Sequence, residues 1–249
     1  MAIQLQRVIF AAAAAIAVAA AFGAHAQKEP DYAAIVAAPD RTEADRNIDK
    51  RRQPAKLLAF TGARPGMAVL DMGAGGGYST ELMARAVAPG GKVYAQNMPK
   101  LFPKAKANFD GRMEKPVFKS VTPLFRPFDD PVPPEVKDLD LITFFFFYHD
   151  VTYMDYDRAR MNQRLLAALR PGGVMVIADH SAAAGAGTSV GKTLHRIEEA
   201  ALRKEVEAAG FRLIAEADFL RQPGDARDFN VNRPTGPVDE FVLKFQRPK

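Results

Sequence analysis

The sequence predicts an α/β protein: a doubly wound, mostly parallel seven-stranded sheet, helices on both faces, and an antiparallel hairpin at the carboxyl end. Three observations predict it. From Ala68 onward, apolar runs of strand length alternate with amphipathic helical stretches, the order that buries a parallel sheet between two helical layers. A glycine cluster, Gly73 to Gly77, follows the first run at the point where such a sheet turns from strand into helix. The last two runs, Phe211 to Ala217 and Glu240 to Phe245, have only a polar loop between them, which suits an antiparallel edge pair.

The elements follow in order. Ala68 to Met72 reads as the first buried strand. After the glycines, Leu82, Met83, Ala86 and Val87 share one helical face until Pro89-Gly90-Gly91 stops the helix. Val93 to Gln96 is the second strand, a helix covers Phe102 to Arg112, and Val121 to Phe125 is the third strand, followed by a proline-rich loop, PFDDPVPPEVKD. Leu139 to Phe147 is the most apolar strand, and the phenylalanine run Phe144 to Phe147 is expected to pack in the core. Met161, Leu165, Leu166 and Leu169 mark a helix ended by Pro171-Gly172-Gly173, and Val174 to Ala178 is the fifth strand. Leu194, Ile197, Ala201 and Val206 predict one further helix, capped by Gly210.

Ahead of this domain, residues 1–26 have the form of a signal peptide. They hold one cation, Arg7, an apolar run from Val8 to Phe22, and Ala24-His25-Ala26 as a cleavage site. The run is shorter than the roughly 20 residues a membrane-spanning helix needs, so no stable membrane insertion is expected after cleavage. The expected location is periplasmic or secreted. Residues 27–58 read as an amino-terminal helical lid and 59–249 as the domain itself, long enough for one sizeable core. The absence of cysteine excludes disulfides, thiolate nucleophiles and cysteine-bound zinc together. The net charge of +5 is modest, and its densest cluster, Lys50-Arg51-Arg52, has no interleaved aromatics. It reads as a solvated helix face, and no nucleic-acid partner is expected.

The loop VLDMGAGGG carries the chemistry. Gly73, Gly75 and Gly77 let the backbone turn sharply and approach a ligand closely. Their spacing is G-x-G-x-G rather than the G-x-G-x-x-G of dinucleotide folds, and Asp71 stands two residues ahead. A carboxylate there would repel a pyrophosphate but can hold an ammonium group.

With VLDMGAGGG, the LRPGG before the fifth strand and the closing strand pair, the sequence resembles the class I S-adenosylmethionine-dependent methyltransferases from about Lys56 to Phe245. DHSAAAGAG, TLHRIEEA and EFVLKF also resemble a group of predicted secreted methyltransferases. The resemblance implies S-adenosyl-L-methionine as cofactor, contacted by Asp71, Gly73 and Gly75, with Gly77 completing the loop. Such enzymes usually end the second strand with an acid that binds the ribose hydroxyls. Here VYAQN offers Gln96 and Asn97, amides without that charge assistance. Asp129 matches the position that often meets the adenine amino group, and its neighbour Asp130 is an equal candidate.

At the far end of the cleft, His149 and Asp150 follow the fourth strand, Asp179 and His180 end the fifth, and His195 starts a later helix. His149, Asp150 and His180 are the candidate catalytic residues, for proton removal or substrate contact. Two other readings stay open: loop tethering by Asp-His hydrogen bonds, and a divalent metal on Asp150, Asp179 and His180. No spaced ligand motif of the HExxH kind supports the metal, and none is assigned. The expected function is an exported methyltransferase for a small or medium-sized molecule. The alternatives are an inactive secreted small-ligand-binding protein on the same fold, and a metal-assisted enzyme using the histidine rim.

Overall fold

The computed structural model describes residues 29–249; the expected export signal and its cleavage point lie outside them. Helices α1 (Tyr32–Val36), α2 (Glu43–Arg52) and α3 (Pro54–Thr61) come first. The domain then runs β1 (Ala68–Met72), α4 (Tyr78–Val87), β2 (Lys92–Asn97), α5 (Pro103–Met113), β3 (Val121–Phe125), β4 (Leu139–Phe145), α6 (Tyr148–Val151), α7 (Arg158–Ala168), β5 (Leu169–His180), α8 (Gly191–Leu194), α9 (Glu199–Ala208), β6 (Arg212–Ala217) and β7 (Glu240–Gln246).

The strands form one seven-stranded sheet in the order β3-β2-β1-β4-β5-β7-β6. Pairs from β3 to β5 are parallel, and β7 runs antiparallel to both β5 and β6. Successive strand residues point to opposite faces, which gives the sheet two cores. Val69, Leu141, Phe145 and Val176 meet Leu58, Leu82, Met83 and Phe109 on one face. Leu70, Ile142, Phe144 and Ile177 meet Met161, Leu165, Leu202 and Val206 on the other. Helices α3, α4 and α5 therefore cover one side, and α7 and α9 the other. Chain order reverses between β1 and β4, so a crevice opens beyond the carboxyl ends of those strands.

Three expectations are corrected. Pro171-Gly172-Gly173 does not end a helix: α7 stops at Ala168, and the triplet lies inside β5. Fully buried Leu169 already pairs with Leu139, and the proline and glycines are absorbed where the β4–β5 register shifts. The fourth strand ends at Phe145 rather than Phe147, because Phe146 takes a left-handed φ of 57° while its N–H donates to the Ala178 carbonyl at 2.7 Å. The helix expected across Leu194 to Val206 is two helices, α8 and α9. Between them, Ile197 bridges to Ser181 and the fully buried Arg196 pairs with Asp225 at 2.7 Å.

The amino-terminal segment lies across the crevice. Thr42 and Asp45 cap α2 reciprocally, each side chain accepting from the other's backbone N–H at 3.1 Å. From α2, Asp49 accepts from Tyr78 Oη at 2.5 Å, Asp45 pairs with Arg112 and Arg51 pairs with Glu240. Gln53 just beyond donates to the Phe219 carbonyl at 2.6 Å. Among the described residues, no helix is long and apolar enough to cross a membrane.

Candidate functional site

The crevice is built around the glycine loop that joins β1 to α4. Gly73, Gly75 and Gly77 all have positive φ, at 60°, 56° and 83°. At Gly73 a Cβ would come within 3.1 Å of the Phe147 ring, whereas at Gly75 the nearest atom would be 3.8 Å away. Gly75 is thus the point where a ligand can approach the backbone most closely. Gly77 sits behind the loop as the residue that enters α4, closed in by Arg112 and Phe109.

The amides at the end of β2 hold this loop in place. Gly73 N–H donates to Gln96 Oε1 at 3.0 Å and Gly75 N–H to Asn97 Oδ1 at 2.8 Å. Asn97 Nδ2 returns a bond to the Gly75 carbonyl at 3.2 Å. Asn97, expected at the ribose, therefore ties down the loop with both ends of its amide. Asp71, expected at the ammonium group, is fully buried beneath the loop. It accepts from Ser79, Thr80 and Thr143 hydroxyls at 2.8, 2.6 and 2.8 Å, and burial raises its pKa against those bonds.

Two clefts flank the loop and share Gly73, Gly75 and Phe147. One, of about 80 Å³, is mainly apolar, with Asn97, Met98, Leu101, Phe102 and Phe128 among its walls. The other, of about 270 Å³, is bounded by Ile48, Arg52, Tyr78, Ser79 and Phe146 among others. Phe144, Phe145 and Phe146 are buried in the core as expected, Phe145 and Phe146 also touching the larger cleft, whereas the partly buried Phe147 lines both clefts.

Arg52 is the residue that sequence reasoning missed. Its guanidinium stacks over Phe146 at 4.4 Å and Tyr78 at 5.3 Å, and its Nε is buried without a hydrogen-bond partner. Burial and the neighbouring Arg51 lower its pKa to about 10, leaving it a cation at neutral pH. The Lys50-Arg51-Arg52 cluster is thus no solvated face at its end: Arg51 reaches the buried Glu240 and Arg52 faces the cleft. The aspartate pair is also resolved. Asp130 is held by Arg126 and by Arg164 at 2.9 Å. Asp129 is half-buried and makes no hydrogen bond among the described residues, though Phe128, not Asp129, lines the cleft.

The four rim residues do gather, with His195 and Glu240 beside them. Fully buried Asp179 accepts from the His149 backbone N–H at 2.8 Å and meets its Nδ1 at 2.6 Å. His149 Nε2 lies 3.2 Å from Asp150 Oδ1, which also takes His195 Nδ1 at 2.8 Å and Tyr153 Oη at 2.7 Å. Burial opposes a charge on His149, but Asp179 and Asp150 on either side override it and push its pKa up to about 10. A histidine so placed is a positioned cation rather than a free base. His180 is buried, its ring stacked on Phe146 at 5.3 Å. Its Nδ1 is 3.0 Å from Glu240 Oε1 yet off the line of a hydrogen bond, and burial drives its pKa well below the usual value. His195, held at φ 53° in the break between α8 and α9, is the most open of the three, with its side chain 22 % exposed.

Comparison with known proteins agrees with this geometry. Residues 7–121 match the family model of protein-L-isoaspartate(D-aspartate) O-methyltransferase. A protein-L-isoaspartate O-methyltransferase of Aeropyrum pernix is 43 % identical over 56 residues, a match spanning 22 % of this chain and 22 % of that protein's own length. Among solved structures, an S-adenosylmethionine-dependent methyltransferase from Aquifex aeolicus aligns over 87 % of this chain and 98 % of its own, with TM-score 0.59 and 19 % identity. The glycopeptide N-methyltransferase MtfA, solved with sinefungin, aligns over 80 % and 87 %, with TM-score 0.57 and 16 % identity. Sheet order, glycine loop and overall superposition agree: the chain has the class I, Rossmann-like fold of the S-adenosylmethionine-dependent methyltransferases.

Proposed function

We propose that this protein is an exported S-adenosylmethionine-dependent methyltransferase acting on an oxygen of a small or medium-sized acceptor. The observation that carries the reading is Arg52, a cation without a hydrogen-bond partner at its buried Nε, facing the crevice beside a glycine loop that leaves Gly75 open. The residues fit the cofactor. Arg52 would take the carboxylate of its methionine part, Gly73 and Gly75 would pass close beneath it, and Met98, Phe102, Phe128 and Phe147 would enclose the adenine, with Asp129 near its amino group. Bound there, the cofactor supplies an electrophilic methyl group on a sulfonium. The chain's task is then placement and exclusion of water. The closed amino-terminal segment serves the second, and serves as the lid. The matched family, named for O-methylation, supports an oxygen acceptor. Phe146 lines the larger cleft and stacks on His180, and beyond His180 the His195–Asp150 end would take the acceptor's proton. His149 and His180 position that end.

The test is isothermal titration of S-adenosylhomocysteine into the full-length chain, with Arg52→Gln as control. Replacing Asp71 would be a poor control, because it removes a buried support. Micromolar binding is expected, weakened about 10- to 100-fold in Arg52→Gln, the loss for a charge-assisted bond. Absence of binding sinks the reading. One observation favours a second: Gln96 and Asn97 already bond the loop, an arrangement that also suits a binding protein that had lost catalysis. Methyl transfer to any acceptor, lost in Arg52→Gln, excludes that second reading.

A further inference from the structure

We infer that His149, Asp150 and His195 form a binding site for one first-row divalent transition-metal ion, zinc(II) or iron(II) in type, at the rim of the crevice. Their donor atoms lie within 4.8 Å of one another. Two are adjacent on α6 and the third arrives from the turn after α8, which is why no sequence spacing announces the set. Gly191 makes the approach possible: a Cβ there would come 2.2 Å from Thr152 Oγ1 and 2.8 Å from the His149 carbonyl. Only a glycine lets α8 press against α6 and bring His195 over Asp150.

The surrounding bonds are those of a ligand set. Metal-binding histidines usually give their second ring nitrogen to a carboxylate, which fixes the ring. Asp179 does this for His149, holding Nδ1 at 2.6 Å and the backbone N–H at 2.8 Å, so that Nε2 faces Asp150. Three groups, Tyr153 Oη, His195 Nδ1 and His149 Nε2, converge on the single oxygen Asp150 Oδ1. An ion shared by the two imidazoles and the carboxylate would take the place of the protons that now join these groups, as ligation by histidine requires. Two nitrogens and one carboxylate oxygen favour transition ions over magnesium or calcium, which want oxygen alone. Asp150 and His195 remain partly open, with side chains 16 % and 22 % exposed, so a fourth position faces outward, as in catalytic rather than structural sites. The cluster of His149, Asp179 and His180 is buried throughout and has no such opening. On the proposed methyltransferase reading, the ion would hold the acceptor's oxygen and ease loss of its proton. The site itself does not depend on that reading.

The test is direct binding to the chelator-treated full-length protein without cofactor: zinc by equilibrium dialysis, and cobalt(II) by its visible absorption. One equivalent of zinc at micromolar affinity or tighter is expected, with a cobalt spectrum showing nitrogen ligation. His195→Ala and Asp150→Asn, each confirmed folded by circular dichroism, should weaken binding at least 100-fold. Asp179→Asn should weaken it about 10- to 100-fold, and His180→Ala should leave one equivalent bound. Absence of stoichiometric zinc overturns the proposal. So does zinc kept by His195→Ala and Asp150→Asn but lost in His180→Ala, which would place the ion in the buried cluster.

Discussion

The glycine loop and the histidine rim stand at the carboxyl ends of neighbouring strands, yet they are held in opposite ways. The loop is fixed by backbone geometry and uncharged partners: three glycines at positive φ and the two amides of Gln96 and Asn97. Asp71 lies buried under it, and Arg52 turns a charge toward the cleft, whose wall also holds the salt-bridged Arg112. The rim is fixed by ionisable groups in a chain, from Asp179 through His149 and Asp150 to His195, with Glu240 and Arg51 alongside. The difference teaches that the loop is a seat set by fixed backbone geometry over one buried carboxylate, whereas the rim is set by a chain of paired ionisable groups.

Asp71→Ala should break the seat most severely. It strips three hydroxyls of their shared acceptor and leaves a hole in a site with no solvent exposure. Losing a buried hydrogen-bonded carboxylate of this kind costs about 3–5 kcal/mol. Denaturant unfolding should show a loss of that size. A change under 1 kcal/mol would mean that the carboxylate contributes little to the loop's rigidity.

Glu240→Gln probes the charged side. Burial raises the Glu240 pKa from 4.5 to about 7, against the pull of Arg51 and Arg52. A carboxyl raised in the folded state favours folding most below its unfolded pKa, and that contribution is lost as pH rises through the folded value. The wild type should therefore lose about 3 kcal/mol relative to the glutamine variant between roughly pH 4.5 and pH 8. Unfolding curves for both proteins across this range check it. A gap independent of pH would show that Arg51 fully compensates the buried charge.

The contrast also decided what could be read from the sequence. The fold and the loop were legible because both depend on local order: strand, glycines and helix follow one another within β1 and α4, and the continuous apolar runs of β4 and β5 mark strands buried on both faces. The closing antiparallel pair was legible for the same reason. The rim residues were found as types at strand ends, but not their division of labour. That division rests on His195 standing in a helix break stabilised by Arg196 and Asp225, 29 positions apart in sequence. Arg52 was hidden for a related reason. In sequence it is the last member of a basic triplet, and only the crossing of α2 over Tyr78 and Phe146 turns it inward. The phenylalanine run divides at Phe146 because one positive φ redirects the chain, which a uniformly apolar stretch cannot signal.

Asn97→Asp gives the smallest effect and the finest test of the contrast. An acid at this position is what ribose recognition would ordinarily favour, so on composition alone the change should improve cofactor binding. Its surroundings predict otherwise. Asn97 Oδ1 accepts from Gly75 N–H while Nδ2 donates to the Gly75 carbonyl, and the residue is only 2 % exposed. An aspartate keeps the first bond but sets a carboxylate oxygen against that carbonyl, exchanging a donor for a repulsion. The cost is about 1 kcal/mol, a fall of a few degrees in Tm. S-adenosylhomocysteine affinity should stay level or decline, because the loop that seats the ligand has lost one of its ties. A tighter complex in Asn97→Asp would show that this amide can leave Gly75 for the ribose, making the seat as dependent on charge as the rim.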